Sequence, residues 1–163
     1  MRFLLVLTLA LPMSVSAQDV HFSGDATLAC LTRTEDHAAR LMCAGLSAGN
    51  CINAPGGQTT VGMVDCFDRE WRLWDLMLNQ NYQARMAEAK VRDKEAVGYG
   101  QSVAKEAETL RNMQRSWISY RDAACTYERS LWGGGTGGGP ATVACMMELT
   151  AAQAIRLETR FGP

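Results

Sequence analysis

The residues best placed by type and number to do chemistry are six cysteines, Cys30, Cys43, Cys51, Cys66, Cys125 and Cys145. Zinc binding favours clustered thiolates and imidazoles, often at Cys-x-x-Cys spacing. This chain has no such pair, and its histidines are His21 and His37. A dithiol redox motif is missing for the same reason. An even cysteine count behind an export leader reads instead as disulfides. Bridging Cys125 and Cys145 closes a ring of about 20 residues and stabilises the fold by roughly 3 kcal/mol. Cys30, Cys43, Cys51 and Cys66 then pair among themselves in any of three ways, with Cys30–Cys43 and Cys51–Cys66 the preferred set.

A second group could in principle move protons. Glu70, Asp75 and Asn79 lie on one helical stretch, Arg121 and Asp122 on another. A useful acid–base pair needs a tuned pKa and a reachable substrate, whereas an arginine beside a carboxylate keeps both charged. The planar guanidinium fork suits a structural clamp between helices. The expectation is therefore a structural polar network, with Arg121 buried and paired to Asp75 or Glu70. No nucleophilic triad accompanies it, and no Gly-x-Ser-x-Gly elbow is present. The glycine run lacks the Lys-Ser or Lys-Thr of a phosphate loop. No catalytic residue, cofactor or metal is expected, and the chain reads as a binder rather than an enzyme.

The elements that must position these residues are helices. Phe67, Trp71, Trp74, Leu78, Tyr82 and Met86 recur every three or four residues, one face of a helix near 61–94 capped by Thr59 or Thr60. Gly98 and Gly100 mark a turn. Val103, Ala107, Leu110, Met113, Trp117, Tyr120, Ala124, Tyr127 and Leu131 form the stripe of a second helix near 101–131. Gly133 to Pro140 reads as loop, because a run so rich in glycine does not hold a helix. A third helix follows near 141–160. Short helices at Ala26–Leu31 and Asp36–Met42 and a turn at Ala54–Gly57 complete a cysteine-rich entry segment. The fold class is all-α, a small disulfide-bonded helical bundle in one domain over 18–163.

Residues 1–17 read as a cleavable signal peptide: Met1-Arg2, the apolar run Phe3–Leu11, then Val15-Ser16-Ala17. The run is shorter than the roughly 20 residues that span a bilayer. Gln18 follows the cleavage point where a lipoprotein would have cysteine, so no membrane anchor is expected and the product is periplasmic or secreted. Without Arg2 the chain keeps 15 basic against 17 acidic side chains, a net charge of −2. That balance argues against nucleic acid, which needs a basic stripe, and mildly favours a cationic partner.

Trp74 and Trp117 sit at core spacing, whereas Trp132 borders the glycine loop and either anchors it or stands exposed beside it. Trp132, Gly135, Thr136 and Gly137 are the candidate partner contacts, with a plain connection between helices as the alternative. At this point Glu70, Trp74-Asp75, Leu78-Asn79, Tyr82, Gln114, Trp117, Arg121-Asp122, Cys125, the glycine loop and Cys145 together resemble the LprI-type lysozyme inhibitor family. The resemblance covers roughly Cys66 to Leu157. It implies an exported, disulfide-bonded helical domain that inhibits lysozyme. One departure is Gln153, three residues after Thr150, where the family often has arginine. The functional expectation is a protein that binds and blocks a muramidase; a periplasmic adaptor with another protein partner is the alternative. Oligomeric state is left open.

Overall fold

The computed structural model describes residues 20–98 and 105–158. The leader, Gly100, Val103 with the rest of 101–104, and positions 159–160 of the expected third helix lie outside them. Within the described residues there are six helices and no strand: α1 Asp25–Thr32, α2 His37–Leu41, α3 Leu46–Ile52, α4 Thr60–Gly98, α5 Glu106–Ser130 and α6 Gly138–Glu158. The fold is an all-α, disulfide-bonded bundle. Its helices follow the expected periodicities with shifted ends, and α3 is an addition the sequence reading did not make.

Local chemistry sets several helix starts. Asp36 accepts the Ala39 N–H at 2.8 Å and caps α2. Thr59 Oγ1 accepts the Gly62 N–H at 2.9 Å and caps α4. α4 runs on through Gly98, past the expected end near 94, and its 39 residues span roughly 58 Å at 1.5 Å each. Asp93 near its far end accepts the N–H groups of Glu106 and Ala107, at 2.6 and 3.1 Å. Those are first-turn donors of α5, which would otherwise lack partners. Arg92 grips Glu106 alongside, so α5 starts antiparallel to α4.

The core lies where α6 packs along α4, with Trp74, Leu78, Met147, Ala151, Ala154 and Ile155 all fully buried. Trp71 Nε1 donates to Thr150 Oγ1 at 3.2 Å, and Asn81 Nδ2 to the Ala154 carbonyl at 3.0 Å. Those contacts advance together along both chains, so α4 and α6 are parallel. α5 lies against α6, joined by Cys125–Cys145.

Cys30–Cys43 and Cys51–Cys66 are the other two bridges, which selects one of the three early connectivities. The first ties α1 to the turn between α2 and α3, and the second ties α3 to α4. α1 and α3 interlock reciprocally: Thr27 N–H donates to Ser47 Oγ, and Ser47 N–H to Thr27 Oγ1.

Candidate functional site

The inward face of α5 is Ala107, Leu110, Gln114, Trp117, Arg121 and Cys125, all buried or half-buried. Tyr120, Tyr127 and Leu131, placed in the apolar stripe by their spacing, are instead 62%, 62% and 61% exposed. The reason is the period. The expected stripe recurs every 3.5 residues or so, while a straight helix turns in about 3.6, a drift of roughly 20° per heptad. Over the length of α5 that drift carries the last members of the stripe off the packed face and into solvent.

Arg121 corrects a second expectation. Its guanidinium meets neither Asp75 nor Glu70; Nε and Nη2 both donate to the adjacent Asp122, at 3.0 and 2.8 Å. It lies over the rings of Trp117 and Trp71, 5.0 and 5.9 Å from their centroids. A weakly hydrated planar cation stacks favourably on indole faces, so the clamp joining α4 to α5 is aromatic. Asp75 accepts from Asn79 one turn on, at 3.0 Å. The expected network is therefore three separate arrangements.

Glu70 had another claim on it. Fully buried, its Oε1 accepts from Thr27 Oγ1 (2.9 Å), the Gly45 N–H (2.8 Å) and Trp74 Nε1 (3.0 Å), and its Oε2 from the Ala48 N–H (2.6 Å). A carboxyl group so supplied with donors needs no arginine. It ties the entry segment to the core. Gln153 is also buried, its Nε2 donating to Gln114 Oε1 at 3.0 Å and touching Met113 Sδ at 3.2 Å, so it joins α6 to α5.

The surface feature richest in recognition groups is the corner between α5 and α6. The loop is shorter than expected: α6 begins at Gly138, with Gly139 and Pro140 in its first turn, where proline's missing N–H costs nothing. What remains is a folded corner. The N–H groups of Gly133, Gly135 and Gly138 donate to the carbonyls of Ser130, Trp132 and Gly135, at 3.3, 2.7 and 3.1 Å. Gly133 and Gly134 take φ of +52° and +88°, conformations that favour glycine. The Trp132 ring folds back over Gly137 yet stays 52% exposed. Trp132 thus anchors the corner and presents a face to solvent, with Gly135 and Thr136 exposed beside it.

Trp132 also walls a crevice of about 480 Å³ between α5 and α6, together with Tyr120, Ala124, Glu128, Cys145 and Glu148. Partial burial, and then the like charge of Glu128, push the Glu148 carboxyl above its ordinary range. Sequence reasoning passed over both glutamates, since isolated acidic residues on helices carry no signal of their own. Among the described residues no group of three or more histidines, cysteines or acids is arranged to hold a metal ion. Nor is any described helix long and apolar enough to cross a membrane.

Comparison with known proteins adds the following. The family model described as lysozyme inhibitor LprI matches residues 51–157, beginning earlier than Cys66 and taking in the Cys51–Cys66 bridge. An uncharacterized protein of Rhizobium meliloti (strain 1021) is 29% identical over 121 residues, 72% of this chain and 87% of that protein. An uncharacterized 17.7 kDa protein in the puhA 5′ region of Rhodobacter capsulatus is 26% identical over 157 residues, 94% of this chain and 95% of its own. No solved structure matches the chain.

Proposed function

The chain belongs to the lysozyme inhibitor LprI family, and from that membership we propose that it is an exported protein that binds a lysozyme and blocks it, with no catalysis of its own. The observation that carries the reading is the family match over residues 51–157, which spans all three long helices and the exposed corner. Three disulfides suit an oxidising compartment outside the cytoplasm, consistent with cleavage of residues 1–17 and a single domain over 18–163.

The contact surface in this reading is the corner formed by Trp132, Gly135, Thr136 and Gly137. A muramidase cleft carries two carboxyl groups flanking the scissile bond. The corner offers an exposed indole and the Thr136 hydroxyl as donors. Three of its six glycine N–H groups, those of Gly133, Gly135 and Gly138, are spent in its own turns, so blockade rests on a folded aromatic ledge rather than on an inserted flexible loop. Rigid contact groups lose little entropy on binding.

A second reading, an adaptor for another protein, draws on the exposed Tyr120, Tyr127 and Leu131 along α5. The two separate in one experiment. Purified residues 18–163 are assayed against a panel of lysozymes by peptidoglycan hydrolysis, and the same preparation is used for capture from periplasmic extract. Inhibition of one or more lysozymes supports the first reading. Capture of a different protein, with every lysozyme fully active, would replace it with the second.

A further inference from the structure

One side of α5 packs on α6 and α4. Another carries a stripe that helical geometry assembles from Ser116, Tyr120, Ala123, Tyr127, Ser130 and Leu131. Every one of these residues is exposed, Tyr120, Tyr127 and Leu131 by 62%, 62% and 61%. A surface helix ordinarily turns its charges to water on the side away from the core. Here Arg115, Asp122, Glu128 and Arg129 flank the stripe, and no charged residue lies within it. Ser130 Oγ donates to the Tyr127 carbonyl at 2.6 Å, which satisfies that hydroxyl proton inside the helix. The stripe is therefore a flat, uncharged helix face built of rings and small side chains.

Its spacing says what covers it. The rings recur at an interval of seven, and so do the small residues Ser116, Ala123 and Ser130, the repeat by which one helix keeps a seam facing another. A second α5 laid antiparallel can set Tyr120 beside Ala123 of the partner subunit, and two-fold symmetry makes that contact reciprocal. The same register sets Ser116 beside Tyr127 of the partner subunit, so each layer holds one ring and one small residue. In the parallel arrangement ring meets ring and small meets small, leaving layers alternately crowded and empty. The face is thus complementary to its own reverse, as an isologous contact requires. The overlap runs from Asn112 to Leu131, about 30 Å of helix. Two such faces cover on the order of 600 Å² on each copy, the lower edge of the standard interface size.

We infer that two copies of this chain pair antiparallel through the Tyr120–Ala123–Tyr127 face of α5. The inference is independent of lysozyme inhibition. Trp132 lies on another side of the helix axis, so pairing leaves the corner open on each copy. The two corners then stand roughly 30 Å apart along the helices, and the pair presents two contact surfaces at once.

Sedimentation equilibrium of the mature chain from about 1 to about 200 µM tests this, the range that a contact of this size calls for. The mass is expected to rise from one chain to two across it. Ala123→Glu places a charge in the seam at an exposed position and should raise the dissociation constant about tenfold or more, with melting curves confirming its fold. Ala123→Tyr should weaken pairing as well, by setting ring against ring. The swap Tyr120→Ala/Ala123→Tyr restores one ring and one small residue per layer, and should bring the dissociation constant back to within about threefold of the parent. A parent that is monomeric throughout would overturn the inference, as would an Ala123→Glu variant that pairs as tightly as the parent. A swap no better than Ala123→Tyr alone would overturn the antiparallel register. Capture of a different protein by a monomeric parent, lost in Ala123→Glu, would assign the face to that partner and overturn self-pairing.

Discussion

The Trp132 indole lies over Gly137 so closely that a Cβ built on that glycine would stand 2.0 Å from Cζ3 and 2.3 Å from Cε3. No side chain fits beneath the ring in this position. The exposed face of Trp132 is therefore set by what Gly137 lacks, and the proposed contact surface depends on a hydrogen atom.

Gly137→Ala follows from that. The methyl group must push the ring outward, so the Trp132 indole resonance should shift and the crevice wall should move. Overpacking of this kind costs typically 1–3 kcal/mol or so where the ring cannot yield; at an exposed corner the ring yields and the loss is nearer about 1 kcal/mol. An unchanged indole resonance in the variant would contradict the packing described.

Glu70→Ala should be far more damaging than its distance from the corner suggests. Four donors, from Thr27, Gly45, Ala48 and Trp74, would lose their acceptor in a buried place. Each stranded donor costs about 1–3 kcal/mol, partly relieved by relaxation or entering water. Urea unfolding should show a net loss of roughly 3 kcal/mol or more, with α1–α3 the first region to lose hydrogen-exchange protection. A variant within about 1 kcal/mol of the parent would show that the entry segment is held by its bridges alone.

Glu148 gives a pH prediction. Its folded carboxyl titrates above the ordinary value, because of burial and the nearby Glu128; the crevice's remaining titratable group is Tyr120. The folded state therefore binds its proton more tightly than the unfolded chain does. That contribution favours the fold fully below the ordinary glutamate value near about 4.3, and it is lost as pH rises through the raised folded value. Glu148→Gln should flatten the fall in stability across that window and melt no lower than the parent at neutral pH. A variant that loses stability at neutral pH would mean that the ionised carboxylate has a partner in the fold.

Much of the fold was legible because α4 announces itself: Phe67, Trp71, Trp74 and Leu78 keep helical spacing, and Trp74 and Leu78 are fully buried where that spacing puts them. The start of α6 was not legible. Gly138 and Gly139 are poor helix formers by propensity, yet they occupy a first turn whose stability comes from packing on α4 and α5. The partner of Arg121 was misjudged because spacing shows which face a residue is on, but not what lies between it and a distant carboxylate. Here the guanidinium lies over two indoles and donates to Asp122 instead. Glu70 was expected as a partner for Arg121; three of its four donors instead come from 22 to 43 residues away, in a segment with little periodicity. The crevice was invisible for a plainer reason, since Glu128 and Glu148 meet only when α5 and α6 pack.

The most direct test of the account is a titration of one susceptible lysozyme by the mature chain and by Trp132→Ala, with residual peptidoglycan hydrolysis as the readout. The parent should drive activity toward zero in a saturable curve, and the variant, with its helical fold verified by circular dichroism, should require about tenfold more protein or beyond. Full activity at every concentration of the parent, across all lysozyme types tried, would contradict the claim that this protein is a lysozyme inhibitor.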